Sequence, residues 1–285
     1  MAKIHLFESG RVSEAERLSG LHVETVSPLS RARAWRYALP HAEPLPVLVW
    51  IARGQGRLTV EARTRGYGPG TLAVLPPHVP FALQPGTVTE GVLVRLPDLF
   101  EAPLPGEPVK LRFSDVALQG ELGGLLDRLS RAGDLREAAN GRAALARVIL
   151  LSALVEREGH RGGPIRVDDE KARLAARFSH VVEDVLTDGA DADAVALRLG
   201  VTPDRLDATL LATCGMDAAT YRRERAMHEA RRRLADTDDG PQAIAHALGF
   251  SSSAQFAGAF SEAAGLSPSD FRDAARRYAS GARSG

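Results

Sequence analysis

Apolar residues change their spacing along the chain, and the changes divide it. Between residues 21 and 96 they come in short runs: Leu21 to Val26, Val47 to Ala52, Arg57 to Glu61, Thr71 to Leu75 and Val88 to Leu96. Gly54-Gln55-Gly56, Gly66 to Gly70, Pro76-Pro77 and Pro85-Gly86 punctuate them. Short strands with regular Gly/Pro turns predict a sandwich or small barrel. From residue 116 the period turns helical. Leu118, Leu122, Leu125, Leu126 and Leu129 form one stripe. After Gly133-Asp134, Ala143 to Val155 is apolar on most sides, with Arg147 the main exception. Residues 159–168, GHRGGPIRVD, are Gly-rich and polar and read as a linker. Residues 1–20 carry little pattern; an arm, or a short helix around Ser13 to Leu18, is the expectation.

Beyond the linker two similar units follow. Ala194 to Leu199, Gly200, Thr202-Pro203, Leu206 and Leu210 give helix, glycine turn and capped helix. In the second unit Ala243, Ile244, Ala247 and Leu248 recur at helical spacing, and Gly249 can take the positive φ of a tight turn. Ser251 and Ser252 are N-cap residues for a helix that carries Phe256 and Phe260 one turn apart. Gly265 ends it, and Ser267-Pro268 opens another with Pro at its first position. Between the units Asp217 to Ala235 reads as one helix of about 19 residues, or about 28 Å. Such a rod would let both units meet successive major-groove faces, about 34 Å apart.

The register Ile244-Ala245, Gly249-Phe250-Ser251-Ser252, Phe256, Phe260, Gly265, Ser267-Pro268, Phe271-Arg272 resembles the signature of AraC/XylS-type transcription regulators. Gly215, Tyr221, Arg225 and Ala230-Arg231 match its continuation. In the N-terminal half, PHAEPLPVLVWIARGQGRLTV followed by GPGTLAVLPPHVPFAL resembles a cupin barrel, the domain that the first resemblance implies there. The expected fold class is α+β: a cupin-like β-barrel with two packing or dimerisation helices over 1–160, then an all-α domain of two helix-turn-helix units joined by a long helix over 169–280. The resemblance implies dimerisation through the helices of 116–158; packing within the domain is the other reading of the same stripe.

Composition narrows the setting. The chain has 285 residues, a formal charge of zero and one cysteine, Cys214. A single cysteine excludes an intramolecular disulfide and fits a reducing cytosol. The N-terminal MAKIHLFESG lacks the apolar run of a signal peptide, and Val148 to Val155 falls far short of the ~20 residues of a membrane span. A cytoplasmic location is expected.

A metal-binding cupin needs two His and a Glu in its first motif and a third His in its second. Here the first motif offers His41 and Glu43, with Val47 and Leu48 where a further carboxylate would stand. Phe81 takes the His place of the second, and His78 lies in a Pro-rich turn. Three or four ligands are needed for a catalytic metal. No metal, no cofactor and no catalytic residue are therefore expected, and the chain is not read as an enzyme. Without metal the barrel could hold a small organic effector lined by Trp35, His41, Trp50, Phe81 and Arg95, or these side chains simply fill it.

The candidate DNA-contacting set is Thr202, Arg205, Thr209, Arg222, Arg223, Arg231, Ser252, Ser253, Gln255 and Arg272. One departure stands out. With Leu206 and Leu210 facing in, Asp204, Ala208, Leu211 and Ala212 face out. With Phe256 and Phe260 facing in, Ala254, Gly258, Ser261 and Glu262 face out. Only Arg205 and Gln255, on the flanks, could read a base edge. From residue 164 onward 16 Lys/Arg stand against 19 Asp/Glu, a net charge of −3, whereas phosphate neutralisation supplies most non-specific affinity. The basic residues cluster at Arg222, Arg223 and Arg225, at Arg231, Arg232 and Arg233, and at Arg272, Arg276 and Arg277. Three functions follow: a promoter-binding regulator, dimeric, with RNA polymerase as partner if it activates; a relative with weakened DNA reading that works through protein contacts at Leu211; or, against the missing ligands, a cupin enzyme with a DNA-binding tail.

Overall fold

The computed structural model describes residues 18, 20–26, 35–97, 99, 102–133, 135–159, 163–164, 170–186 and 191–281. The arm or helix expected around Ser13 to Leu18 lies outside them, save Leu18, which is buried in the N-terminal core.

Strand β1 (His22–Val26) is followed by a short helix α1 (Trp35–Ala38), then β2 (Val47–Arg53), β3 (Gly56–Val60), β4 (Arg63–Tyr67), β5 (Thr71–Leu75), β6 (Phe81–Pro85), β7 (Glu90–Arg95) and β8 (Val109–Arg112). A two-residue strand β9 (Gly163–Pro164) comes after two helices, α2 (Val116–Ser130) and α3 (Ala138–Gly159). The strands form two sheets, β1-β7-β2-β5-β8-β9 and β4-β3-β6. Side-chain alternation explains why β2 is apolar at every position from Val47 to Ile51. Val47, Val49 and Ile51 pack with Leu58, Val60, Phe81 and Leu83 between the two sheets. Leu48 and Trp50 point the other way and pack with Leu122, Leu126, Val148 and Leu151 of α2 and α3. The large sheet is therefore covered on both faces, the condition under which strands read as continuous apolar runs.

Four strands have no counterpart in the sequence pattern, β9 of the expected linker among them. β4 is an edge strand whose Thr64, Arg65 and Gly66 are exposed, so it lacks an alternating core face; Gly66 lies within it and not in a turn. β6 ends in Pro85 and lies among the Pro-rich turns, which masks Phe81–Pro85 as punctuation. β8 is only four residues long. The run Val88 to Leu96 begins as a strand only at Glu90, leaving Val88 70% exposed.

The leucine stripe packs inside the domain. Leu122, Leu125, Leu126 and Leu129 of α2 are buried, and the helix starts at the N-cap Asp115, whose carboxylate accepts from the Ala117 amide at 2.7 Å. Helix α3 is long and apolar enough to cross a bilayer by length and composition alone, yet Ala144, Val148, Leu151 and Val155 are buried in the core it shares with the sheet and α2. On its outer side Arg142, Ala146, Leu150 and Ala153 are exposed. The expected linker contributes β9, which pairs Gly163 and Pro164 with Lys110 and Val109 of β8.

The C-terminal helices are α4 (Glu170–Val185), α5 (Ala192–Leu199), α6 (Pro203–Cys214), α7 (Ala218–Asp236), α8 (Pro241–Ala247), α9 (Ser253–Ala264) and α10 (Pro268–Gly281). One core joins them: Phe178 and Val182 of α4, Leu199, Leu206, Leu210, Tyr221, Leu234, Ile244, Leu248, Phe256 and Phe260. Helix α7 is the 19-residue rod, started by Asp217, whose carboxylate accepts from the Thr220 amide at 2.7 Å.

Candidate nucleic-acid interface and effector site

Each helix-turn-helix unit is set by a turn and a cap. In the first, Gly200 takes φ 71°, a left-handed conformation that costs glycine nothing. The Thr202 hydroxyl accepts from the Arg205 amide at 3.3 Å, and Pro203 opens α6. In the second, Gly249 takes φ 75° and the Ser252 hydroxyl accepts from the Gln255 amide at 3.1 Å. Gln255 returns its side-chain oxygen to the Ser251 amide and hydroxyl at 3.2 and 2.8 Å, an exchange close to a capping box. Leu206, Leu210, Phe256 and Phe260 are fully buried. With that phase fixed, Asp204, Arg205, Ala208, Leu211 and Ala212 are exposed on α6, and Ser253, Ala254, Gly258 and Glu262 on α9, with Ser261 half-buried. Leu211 is 56% exposed.

Several residues of the expected DNA-contacting set are placed elsewhere. Thr209 is buried and its hydroxyl donates to the Arg205 carbonyl at 2.8 Å, so it faces the helix and not the solvent. Arg205 is exposed but paired with Glu170 at 2.6 Å. Arg231 donates to the Ala263 carbonyl at 2.5 Å, tying α7 to the end of α9. Arg272 donates to the carbonyls of Leu234, at 3.2 Å, and Asp239. Thr202, Ser252, Ser253 and Gln255 stand at the helix starts, and Arg223 is exposed on α7 with Arg222 half-buried beside it. The other basic clusters are engaged too: Arg225 with Glu183, Arg232 and Arg233 with Glu229, Arg276 with Asp238. Arg198, exposed in the last turn of α5, was not picked from the pattern.

At the end of the sheets nearest α7, His41 pairs its backbone with Phe81, and the two rings lie 4.9 Å apart. Arg95 Nη2 donates to Glu43 Oε1 at 3.0 Å, and His41 Nε2 lies 3.5 Å from the same oxygen. Burial alone would raise the Glu43 carboxyl, but the contacts with His41 and Arg95 outweigh it and hold the group at about 2. Arg95 Nε is buried with no hydrogen-bond partner among the described residues. Tyr37 donates to Glu24 nearby. The structure thus joins three of the five expected lining residues, His41, Phe81 and Arg95, and adds Glu43, Tyr37 and Glu24. Trp50 is not with them: it points to the helix side of β2 and packs edge-on against Phe113 at 5.8 Å. The Trp35 side chain lies outside the described residues. His78 is exposed at φ 61° in its turn.

Helix α7 covers this cluster. The rings of His41 and His228 are 4.6 Å apart, and Tyr221 Oη lies 3.5 Å from the Pro40 carbonyl while sharing a 3.0 Å hydrogen bond with Ser179.

A family model described as an AraC-like ligand binding domain matches residues 28–155, and one described as a helix-turn-helix domain matches residues 195–274. The chain is an AraC-type transcription regulator. Together the two models span well over half of this regulator, and they divide it where its two cores divide. Some solved structures are similar to it at low identity. ToxT from Vibrio cholerae O395 is 14% identical, with 89% of this chain and 97% of that chain covered and a TM-score of 0.44. The unsaturated fatty acid-bound wild-type ToxT of Vibrio cholerae strain SCE256 is 13% identical, with 88% and 94% covered and a TM-score of 0.45. An AraC-type regulator from Chromobacterium violaceum is 22% identical over 35% of this chain and 88% of its own, with a TM-score of 0.33. No curated protein is a match for the chain.

Proposed function

We propose that this AraC-type regulator acts in the cytoplasm as a homodimer, binding promoter DNA through α6 and α9. Its role is regulatory and not catalytic, and an activator of this kind would also touch RNA polymerase. Residues 1–160 form the effector and dimerisation domain, and 169–280 the DNA-binding domain. The observation that carries the reading is the pair of complete helix-turn-helix units, each with a left-handed glycine and a capped second helix, held on one 19-residue rod. Thr202, Ser252, Ser253 and Gln255 at the helix starts, with Arg222 and Arg223 on the rod, are the contacts we favour. A small organic effector at the His41, Phe81 and Arg95 cluster is supported by the buried Arg95 Nε, which lacks an acceptor among the described residues; the effector would bring one. The test is competition binding of full-length protein to a duplex from its own upstream region and to a scrambled duplex of equal length. Preference for the native duplex is expected; equal affinity for both at low salt overturns the reading.

A second reading has its own observation. Leu211 and Leu197 are 56% and 81% exposed in the first unit, where a phosphate-binding surface would carry cations. A regulator that works mainly through protein contacts at these leucines would bind DNA poorly and lose function in Leu211→Glu without loss of DNA affinity.

A further inference from the structure

Arg205 of α6 and Gln255 of α9 stand on the flanks of the two recognition helices, and they are held differently. The Arg205 guanidinium is paired with Glu170 at 2.6 Å and must leave that carboxylate to reach DNA. Gln255 is exposed, and the residue that holds it lies four positions before it. Its Oε1 lies 3.2 Å from the Ser251 amide nitrogen and 2.8 Å from the Ser251 hydroxyl. A backbone N–H only donates, so the amide atom that faces Ser251 is the oxygen. The Ser251 hydroxyl donates to the same atom. A carbonyl oxygen has two lone pairs, and both are taken.

The side-chain hydrogen bonds that Gln255 makes among the described residues both go through Oε1. That leaves the Nε2 amino group, with two hydrogens, on the other side of the same planar amide. Its neighbours on the helix are small. Ala254 is exposed, and Gly258, one turn on, has open space where a Cβ would stand, so a base edge can approach closely. In the major groove an unrestrained glutamine pairs with adenine by accepting from N6 and donating to N7. Gln255 has given up the accepting half of that pair to Ser251. What it presents is a donor, and the edge that suits a donor best is guanine, with O6 and N7 both accepting. Adenine sets a donor beside its N7, thymine a methyl beside its O4, and cytosine offers only the N4 donor. A side chain ordered before DNA arrives also loses less conformational freedom on binding.

We propose that Gln255 is a specificity-determining residue whose polarity is fixed by Ser251: held as a donor, it selects guanine over adenine in the part of the site that α9 meets. The inference deepens the promoter-binding reading and rests on it.

The experiment is selection of bound sites by the full chain from a library of random duplexes at one salt concentration, followed by sequencing. The wild type should enrich a sequence in which one position prefers G over A by about fivefold or more. Gln255→Ala should lose the preference at that position alone. Gln255→Glu keeps an acceptor for Ser251, as a capping box does, but presents no donor, so guanine should be lost there and cytosine admitted. Ser251→Ala returns one lone pair to Gln255, and adenine should rise relative to guanine at the same position. Thermal melting establishes that each variant is folded. A wild type that enriches no sequence overturns the promoter-binding reading and this inference with it. Enrichment that both Gln255 variants leave unaltered overturns the inference alone, as does a uniform loss of affinity across all sequences, which marks a phosphate contact. Adenine at the Gln255-dependent position of the wild type, or an adenine-to-guanine ratio that Ser251→Ala does not change, also overturns it.

Discussion

Glu43 shows how one residue couples stability to charge. Its side chain is 11% exposed, between His41 and Arg95, and its carboxyl is held at about 2 against an ordinary 4.5. A depressed carboxylate stabilises the native state above the unfolded range, and that contribution is lost as pH falls through the folded value. The wild type should therefore lose about 2–3 kcal/mol between pH 5 and pH 2 from this group, measured by urea unfolding across that window. Glu43→Gln should lack this part of the acid loss and be less stable at pH 7, where Arg95 is left buried without its carboxylate. A wild-type acid profile matching that of Glu43→Gln would mean the carboxylate is solvated. The same residue also bears on metal: with Phe81 packed on His41 and Arg95 on Glu43, purified protein should carry well under one equivalent of iron, zinc or manganese by elemental analysis, and a full equivalent would contradict that.

At the scale of elements, the recognition helices test the helical phase. Phe256→Ala should lower unfolding stability by about 3–5 kcal/mol, the usual range for a buried Phe, because Phe256 is fully buried and its ring lies 5.7 Å from that of Phe260. Gly258 has open space where a Cβ would stand, so Gly258→Arg should be tolerated and should favour the helix, as replacement of a helical Gly generally does. Thermal melting of both variants decides: a mild Phe256→Ala or a destabilised Gly258→Arg would mean the phase is wrong. This phase was legible in the sequence because caps, glycines and a 3.6-residue period agree at Thr202, Gly200, Ser252 and Gly249. The edge strand β4 was not, since Arg63–Tyr67 buries little but Tyr67. Nor was the fate of the arginines. The partners of Arg205 and Arg225 are distant in sequence, Glu170 lying 35 residues from Arg205 and Glu183 lying 42 from Arg225, so no local pattern shows that these arginines are engaged within the chain. Thr209 and Trp50 were misplaced for a related reason: each side chain follows its element's face, and Thr209 shares the buried face with Leu206 and Leu210.

For the whole molecule, assembly and DNA binding are the outstanding properties. The α2 leucines are buried within the chain, so the dimer contact we propose falls to the exposed side of α3, centred on Leu150 at 54% exposure. Leu150→Asp should give folded monomers in sedimentation of the full chain at tens of micromolar, because an unpaired carboxylate is costly to bury in an interface. Leu122→Asp should instead fail to fold. A Leu150→Asp protein that remains dimeric would place the interface elsewhere.

This regulator should reach DNA through few phosphate contacts, since Arg205, Arg225, Arg231, Arg232, Arg233, Arg272 and Arg276 are all engaged within the chain and the outer faces of α6 and α9 carry no other cation. The most direct measurement is the affinity of full-length protein for its upstream duplex across a salt series. Each neutralised phosphate contributes a log–log slope of about −0.9. Fewer than about six contacts and a slope shallower than about −5 are expected, steepened by the double substitution Gly258→Arg, Ser261→Lys. Nanomolar wild-type binding with a slope of about −6 to −9, unchanged by that substitution, would contradict it.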